Sequence, residues 1–66
     1  MYQILKNIRR DKKIPVNVLA NKIGLKTTAA YYKKENGNVK FTVDEAIIIA
    51  KELKESVENI FIFKEI

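Results

Sequence analysis

The chain has 66 residues, 47% of them apolar, and carries 13 basic against 8 acidic side chains, a net charge of +5. This length holds one hydrophobic core, so we expect a single domain over residues 1–66, and the composition is too apolar for a disordered segment. Histidine and cysteine are absent, serine occurs once and the two glycines are isolated. This composition excludes imidazole or thiolate metal sites, Ser/His nucleophile pairs and glycine-rich phosphate loops. We therefore expect no catalytic residue, metal, cofactor or small-molecule ligand.

Residues 2–23 predict two short helices. Apolar residues recur at helical spacing in residues 2–11 with basic residues between them, which is typical of an amphipathic helix whose outer face is basic. Pro15 suits a first helical turn and Gly24 suits a helix end, so a second helix is expected over residues 15–23. The basic side chains predicted for the outer face of the first helix are Lys6, Arg9 and Arg10.

Three more helices are predicted in the rest of the chain. Thr27 or Thr28 can cap a third helix that ends at Glu35, just before an Asn-Gly-Asn segment. Thr42 followed three residues later by Glu45 is a capping box that starts a fourth helix, with Phe41 placed to pack back on its first turn. The buried stripe of this helix is predicted to be Val43, Ala46, Ile47, Ala50 and Leu53.

The C-terminal part predicts a short fifth helix. Ser56 can cap it, and Val57, Ile60 and Phe61 give it an apolar side. Residues 61–66 have mixed periodicity, so they either extend this helix or form an edge strand. The sequence therefore predicts an all-α domain of five helices, with the conformation of the tail left open.

Charge is segregated along the chain. Residues 1–41 contain ten basic and two acidic side chains, a net charge of +8, whereas residues 42–66 have a net charge of −3. A polyanion would therefore bind the first two-thirds of the chain. Solvated lysines on helix surfaces account for any one of these residues, but they explain the segregation less well.

The order of these elements resembles the Cro/repressor family of bacterial and phage DNA-binding domains, often called XRE-type. The resemblance covers residues 4–61 and rests on five segments in the expected order, LKNIRRDKKI, LANKIGL, KENG, FTVDEAIIIAKEL and SVENIF. It implies that the second and third helices form a helix-turn-helix, with the third in the DNA major groove and the second crossing above the backbone.

Two features depart from the family pattern. The stretch from Gly24 to Glu35 spans eleven positions, one more than is usual, so the turn before the third helix is expected to be longer. Pro15 and Val16 stand where the family often has Thr or Ser followed by Gln to hold a phosphate. Backbone N–H groups at the start of the second helix can still approach a phosphate oxygen.

The resemblance assigns base reading to the third helix, with Ala30 and Tyr31 needed nearer the core. Lysine donates to guanine, threonine bonds either base type, and a threonine methyl or an alanine touches the thymine methyl. The matching base-reading positions are Thr27, Thr28, Ala29, Tyr32 and Lys33.

Phosphate contacts are expected from basic side chains around that helix. Lys26 and Lys40 lie in the loops that flank it. The remaining candidates are at the end of the first helix, where a plain solubilising surface is the alternative, and they are Arg9, Arg10, Lys12 and Lys13.

Several residues of the third helix have structural alternatives. Lys33 and Lys34 are adjacent and cannot share one helix face, so Lys33 is preferred as the reader and Lys34 as a solvated side chain or a stem that covers the core. Tyr31 and Tyr32 can stack on single-stranded bases, but one of these rings is needed in the core. Glu35 has no partner carboxylate nearby in the sequence and fits a structural hydrogen bond.

An apolar patch at the acidic end predicts a homodimer. Ile48 lies off the predicted stripe of the fourth helix, and the tail adds further exposed apolar residues. The predicted dimer interface consists of Ile48, Ile62, Phe63 and Ile66.

The sequence thus predicts a cytoplasmic, sequence-specific double-stranded DNA-binding transcriptional regulator of phage or mobile-element type, acting as a homodimer. No membrane association is expected, because the longest apolar run is Ala46 to Ala50 and no secretion signal is present. One alternative is a protein-interaction module on the same fold, such as an antirepressor or an antitoxin-like partner. Another is a small nucleic-acid enzyme, for which metal ligands, a nucleophile and a general base at usable spacing are missing.

Overall fold

The computed structural model describes residues 2–62, with Ile62 described by its backbone alone. Within residues 2–62 the chain forms five helices and no strand, which confirms the all-α class. Of the tail whose conformation was left open, residues 61 and 62 belong to the last helix, and residues 63–66 lie outside the described residues. The helices are α1 (Gln3–Asp11), α2 (Val16–Lys22), α3 (Thr28–Glu35), α4 (Val43–Leu53) and α5 (Glu58–Ile62), the last with the wider π-helical geometry.

Local signals fix most helix ends. Gly24 ends α2 with a φ of +82°, and the N–H groups of Gly24 and Leu25 bond back to the carbonyls of Asn21 and Ala20, as in a Schellman motif. Thr27 is the N-cap of α3, and its Oγ1 accepts from the Ala30 N–H at 3.1 Å. These two ends define the turn that joins α2 to α3.

The start signals of the last two helices are confirmed. In the capping box of α4 the Thr42 Oγ1 accepts from the Glu45 N–H at 3.1 Å, and the Glu45 Oε1 accepts from the Thr42 N–H at 2.9 Å. Ser56 Oγ accepts from the Asn59 N–H at 3.0 Å before α5. Both caps leave fewer backbone N–H groups without a partner, so both helices begin where the sequence predicts.

The core lies between all five described helices. α2 packs on α3 and α4, while α1 packs on α3 and α5. Edge-to-face contacts join Tyr2, Phe41 and Phe61, with ring centroids 5.2–5.5 Å apart. Among the described residues no helix combines the length and the apolar character needed to cross a bilayer. The fully or nearly fully buried apolar side chains are Leu5, Val16, Leu19, Ala20, Tyr31, Ala46, Ile49, Ala50, Leu53 and Ile60.

The buried face of α4 differs from the prediction. Val43 and Ile47 were predicted in the core but are 75% and 41% exposed, whereas Ile49 is fully buried. Consecutive residues of a helix are about 100° apart, and the buried set Ala46, Ile49, Ala50 and Leu53 is centred about 50° from the predicted stripe. The apolar residues of α4 cover more than half of its circumference, so periodicity alone left its rotation undetermined.

Candidate nucleic-acid interface

The outer face of α3 carries all five predicted base-reading residues. Thr28, Ala29, Tyr32 and Lys33 are exposed and lie within an arc of about 140° on the helix. Thr27 is exposed at the N-cap of the same helix. The five side chains of this face carry two threonine hydroxyls, one phenol, one ammonium and three methyl groups.

An open cavity of about 280 Å³ is lined by residues of α2, of the turn that follows it and of the start of α3. The sequence interpretation missed Asn17 and Asn21, which are exposed one turn apart on α2. They line this cavity together with the predicted DNA-contacting residues Lys26, Thr27 and Thr28. The spacing of two amides by four residues was the available signal. The remaining lining residues are Ala20 and Leu25.

Arg9 is buried, contrary to its predicted place on the basic outer face of α1. Its side chain points inward and the residue is only 8% exposed. Arg9 Nε and Nη2 donate to Glu35 Oε2 and Oε1 at 3.0 and 3.1 Å, a bidentate ion pair between α1 and α3. The Nε–Nη2 edge of the guanidinium is therefore engaged by Glu35 and is not available to a phosphate. The predicted basic outer face of α1 therefore loses Arg9.

Tyr31 completes this buried network, which holds α3 in place. Its hydroxyl donates to Glu35 Oε2 at 3.0 Å, and the Tyr2 N–H donates to the Glu35 carbonyl oxygen at 3.0 Å. The prediction that Glu35 makes a structural hydrogen bond is therefore confirmed. Glu35 raises the pKa of Arg9 mainly through the hydrogen bond it accepts, and burial raises the pKa of Tyr31, with Glu35 adding to the shift. The guanidinium therefore stays charged and the phenol stays protonated.

Lys34 forms a second network, also near the C-terminal end of α3, that reaches the start of α4. Its Nζ donates to the Lys40 carbonyl oxygen and to Glu45 Oε1, both at 3.0 Å. Lys34 is therefore neither a solvated side chain nor merely an apolar stem, whereas Lys33 is exposed as predicted. The contact fixes the loop that carries Lys40 to the first turn of α4.

Glu45 should make the stability of the fold sensitive to acid. Burial would raise the pKa of Glu45, but hydrogen bonds from the Thr42 N–H and from Lys34 outweigh it and lower the pKa below the ordinary 4.5. A lowered pKa in the folded state adds stability that is fully present above about pH 4.5 and is lost as the pH falls through the folded pKa.

We expect Glu45→Gln to lower the free energy of unfolding at pH 7 by about 1 kcal/mol and to flatten its decline between about pH 5 and pH 3. Urea unfolding at several pH values, with the wild type alongside, measures both. Parallel pH profiles for the two proteins would mean that the Lys34 contact does not stabilise the fold.

The other predicted phosphate residues are all exposed. Arg10 is exposed in the last turn of α1. Lys12 and Lys13 form the turn that follows this helix, and Lys40 lies in the loop after α3. Lys26 lines the same cavity as Thr27 and Thr28. The structure thus keeps five of the six predicted phosphate contacts on the surface.

The predicted dimer residues fall partly outside the described region. Ile48 is 38% exposed on α4, as predicted. The side chain of Ile62 and the residues Phe63 and Ile66 lie outside it. A second exposed apolar feature was not predicted, a cavity of about 310 Å³ lined by Tyr2, Phe41, Thr42, Val43, Ala46, Val57 and Phe61.

Comparisons with protein-family models, with curated proteins and with solved structures find no match to this chain. The interpretation of function therefore depends on the residues and the geometry described above.

Proposed function

We propose that the protein is a sequence-specific double-stranded DNA-binding regulator that inserts α3 into the major groove. The observation that carries the proposal is the outer face of α3, where Thr28, Ala29, Tyr32 and Lys33 are exposed together. One buried and one partly buried ion pair hold this helix from behind. A rigid helix that displays hydroxyl, ammonium and methyl groups has the chemistry of base reading.

The charge distribution supports the same orientation. Exposed cations lie before α3 at Lys26 and after it at Lys40, and the net charge of +8 belongs to residues 1–41. Phosphate contacts from these side chains would set the register of α3 on the duplex. In this proposal the protein acts in the cytoplasm by occupying an operator, without chemistry on the DNA, as a regulator of phage or mobile-element type.

A homodimer completes the proposal. One module of this size contacts few base pairs, whereas two copies related by a twofold axis read half-sites about 34 Å apart. Selection of bound duplexes from a random pool tests both the sequence-specific binding and the homodimer. A palindromic consensus with half-sites one helical turn apart is expected, and a pool without enrichment would contradict sequence-specific binding.

Lys40→Ala tests the phosphate contacts. Each neutralised phosphate contributes about −0.9 to the slope of log K against log salt, so the variant should flatten that slope by about one unit and weaken all DNA sequences alike. Titrations of duplex DNA at several salt concentrations measure the slope. A slope equal to that of the wild type would remove Lys40 from the interface.

Thr28→Ala and Lys33→Ala test base reading. Each should cost about 1–3 kcal/mol on the selected site and relax base choice at one position, because a hydrogen bond to a base edge is lost. Affinities for the selected site and for single-base variants of it provide the measurement. Equal losses on random DNA would make these residues backbone contacts instead.

One observation favours a protein-interaction module as the second candidate. The cavity lined by Phe41, Val43 and Phe61 is mostly apolar, lies at the start of α4 and has no lining residue from α3. An α-helix or an extended segment of a partner protein could occupy it. A mobility-shift assay over a range of salt concentrations separates the candidates, since only the DNA-binding proposal predicts salt-dependent duplex binding.

A further inference from the structure

The exposed side of α4 carries a patch with internal symmetry. Asp44, Ile47, Ile48 and Lys51 are all exposed and follow the spacing i, i+3, i+4 and i+7. This spacing places them on one side of the helix, centred about 160° from the buried residues of α4. We refer to these four residues as the α4 patch.

The α4 patch combines apolar area with two opposite charges at its ends. Ile47 and Ile48 are 41% and 38% exposed at its centre. Asp44 and Lys51 lie about 10 Å apart along the helix axis, and within residues 2–62 neither takes part in an ion pair. Two exposed isoleucines between separated opposite charges are typical of a helix surface that packs on another helix.

The patch is complementary to itself when a second copy runs antiparallel. The midpoint between Ile47 and Ile48 is also the midpoint between Asp44 and Lys51. A twofold axis through this point places Asp44 opposite the partner's Lys51 and Ile47 opposite the partner's Ile48, and each contact occurs twice. This is the arrangement that a closed, isologous dimer interface requires.

We infer that the protein self-associates through antiparallel packing of α4 on α4 of a second copy, with Asp44 and Lys51 pairing across the interface. The inference adds Asp44, Ile47 and Lys51 to the interface predicted from the sequence and does not depend on the C-terminal tail. It supplies the second copy that the proposed DNA binding uses, but it stands apart from that proposal, because its test contains no DNA.

Charge reversal provides the test, with sedimentation equilibrium as the measurement. Asp44→Lys and Lys51→Asp each place like charges opposite one another at both ends of the interface, so each should raise the dimer dissociation constant by about tenfold or more. The double variant D44K/K51D restores opposite charges, and its dissociation constant should return to near that of the wild type. An equimolar mixture of the two single variants should form a heterodimer, because both of its charge pairs are attractive.

Glu58→Lys is the matched control. It changes the net charge by the same amount as Asp44→Lys, also at the first turn of a helix, but on α5. It should leave the dissociation constant unchanged. The double variant retains any defect that Asp44→Lys causes at the start of α4. A dissociation constant that returns to near the wild-type value in this variant therefore cannot be due to restored folding.

Several results would overturn the inference. A wild-type chain that is monomeric at about 100 μM has no such interface, and equal effects of Asp44→Lys and Glu58→Lys would indicate general charge repulsion. The interface would lie at the C-terminal end if neither charge reversal changed the dimer dissociation constant and removal of residues 62–66 abolished the dimer. A mixture of single variants that forms no heterodimer would contradict the pairing of Asp44 with Lys51.

Discussion

Replacing Arg9 by methionine is expected to destabilise the fold by about 3–5 kcal/mol, because Glu35 then keeps a buried charge without its ionic partner. Glu35 is 1% exposed, so water cannot take the place of the guanidinium. The total stability of a chain of 66 residues is about 3–10 kcal/mol at the usual figure per residue. The loss is comparable with that total, so the midpoint of urea unfolding, followed by circular dichroism, should fall sharply.

Removal of the whole network is the control for this prediction. The triple variant Arg9→Met, Tyr31→Phe, Glu35→Leu leaves no buried polar group without a partner and keeps similar side-chain volumes. Replacing a complete buried ion pair by packed apolar residues is often neutral or stabilising. The triple variant should thus be more stable than Arg9→Met alone. If the single variant melts like the wild type, the ion pair does not hold α1 on α3.

Ala29→Glu is expected to abolish specific DNA binding while the protein stays folded. Ala29 is exposed in the first turn of α3, and glutamate is a good helix former, particularly near a helix N-terminus. If α3 enters the major groove, the carboxylate faces phosphates and base-edge acceptors without a counterion. Such a contact costs several kcal/mol, so affinity for the selected site should fall by at least about 100-fold, or 2.7 kcal/mol.

Ala29→Gln separates charge from size at this position. It adds the same number of side-chain atoms without the charge, so it should retain much more affinity than Ala29→Glu. Thermal unfolding of both variants establishes that the fold is intact. Unchanged DNA affinity in Ala29→Glu would place the first turn of α3 outside the groove, and equal losses in both variants would indicate a steric effect.

The sequence predicted the helices well because their ends depend on local chemistry. The threonines at positions 27 and 42 cap the helices that follow them through hydrogen bonds to N–H groups three residues away. Gly24 adopts a positive φ that glycine reaches without strain. Each signal involves residues within one helical turn, so no knowledge of the fold was needed.

The outer face of α3 was predicted from the family resemblance together with local spacing. Tyr31 and Tyr32 are neighbours, and so are Lys33 and Lys34, so the two side chains of each pair point about 100° apart around the helix. The structure buries Tyr31 and Lys34 and exposes Tyr32 and Lys33. The exposed set therefore agrees with the base-reading positions, whose contact with DNA remains a prediction.

The sequence by itself determined the helical segments and their caps, since these depend on contacts within a few residues. Only the tertiary structure decided that Arg9 is a buried partner of Glu35 and that Ile49 rather than Ile47 faces the core. Arg9 and Glu35 are 26 positions apart and meet because α1 packs on α3. α4 is apolar over more than half its circumference, so its rotation follows from the shapes of the helices around it, which no local pattern encodes.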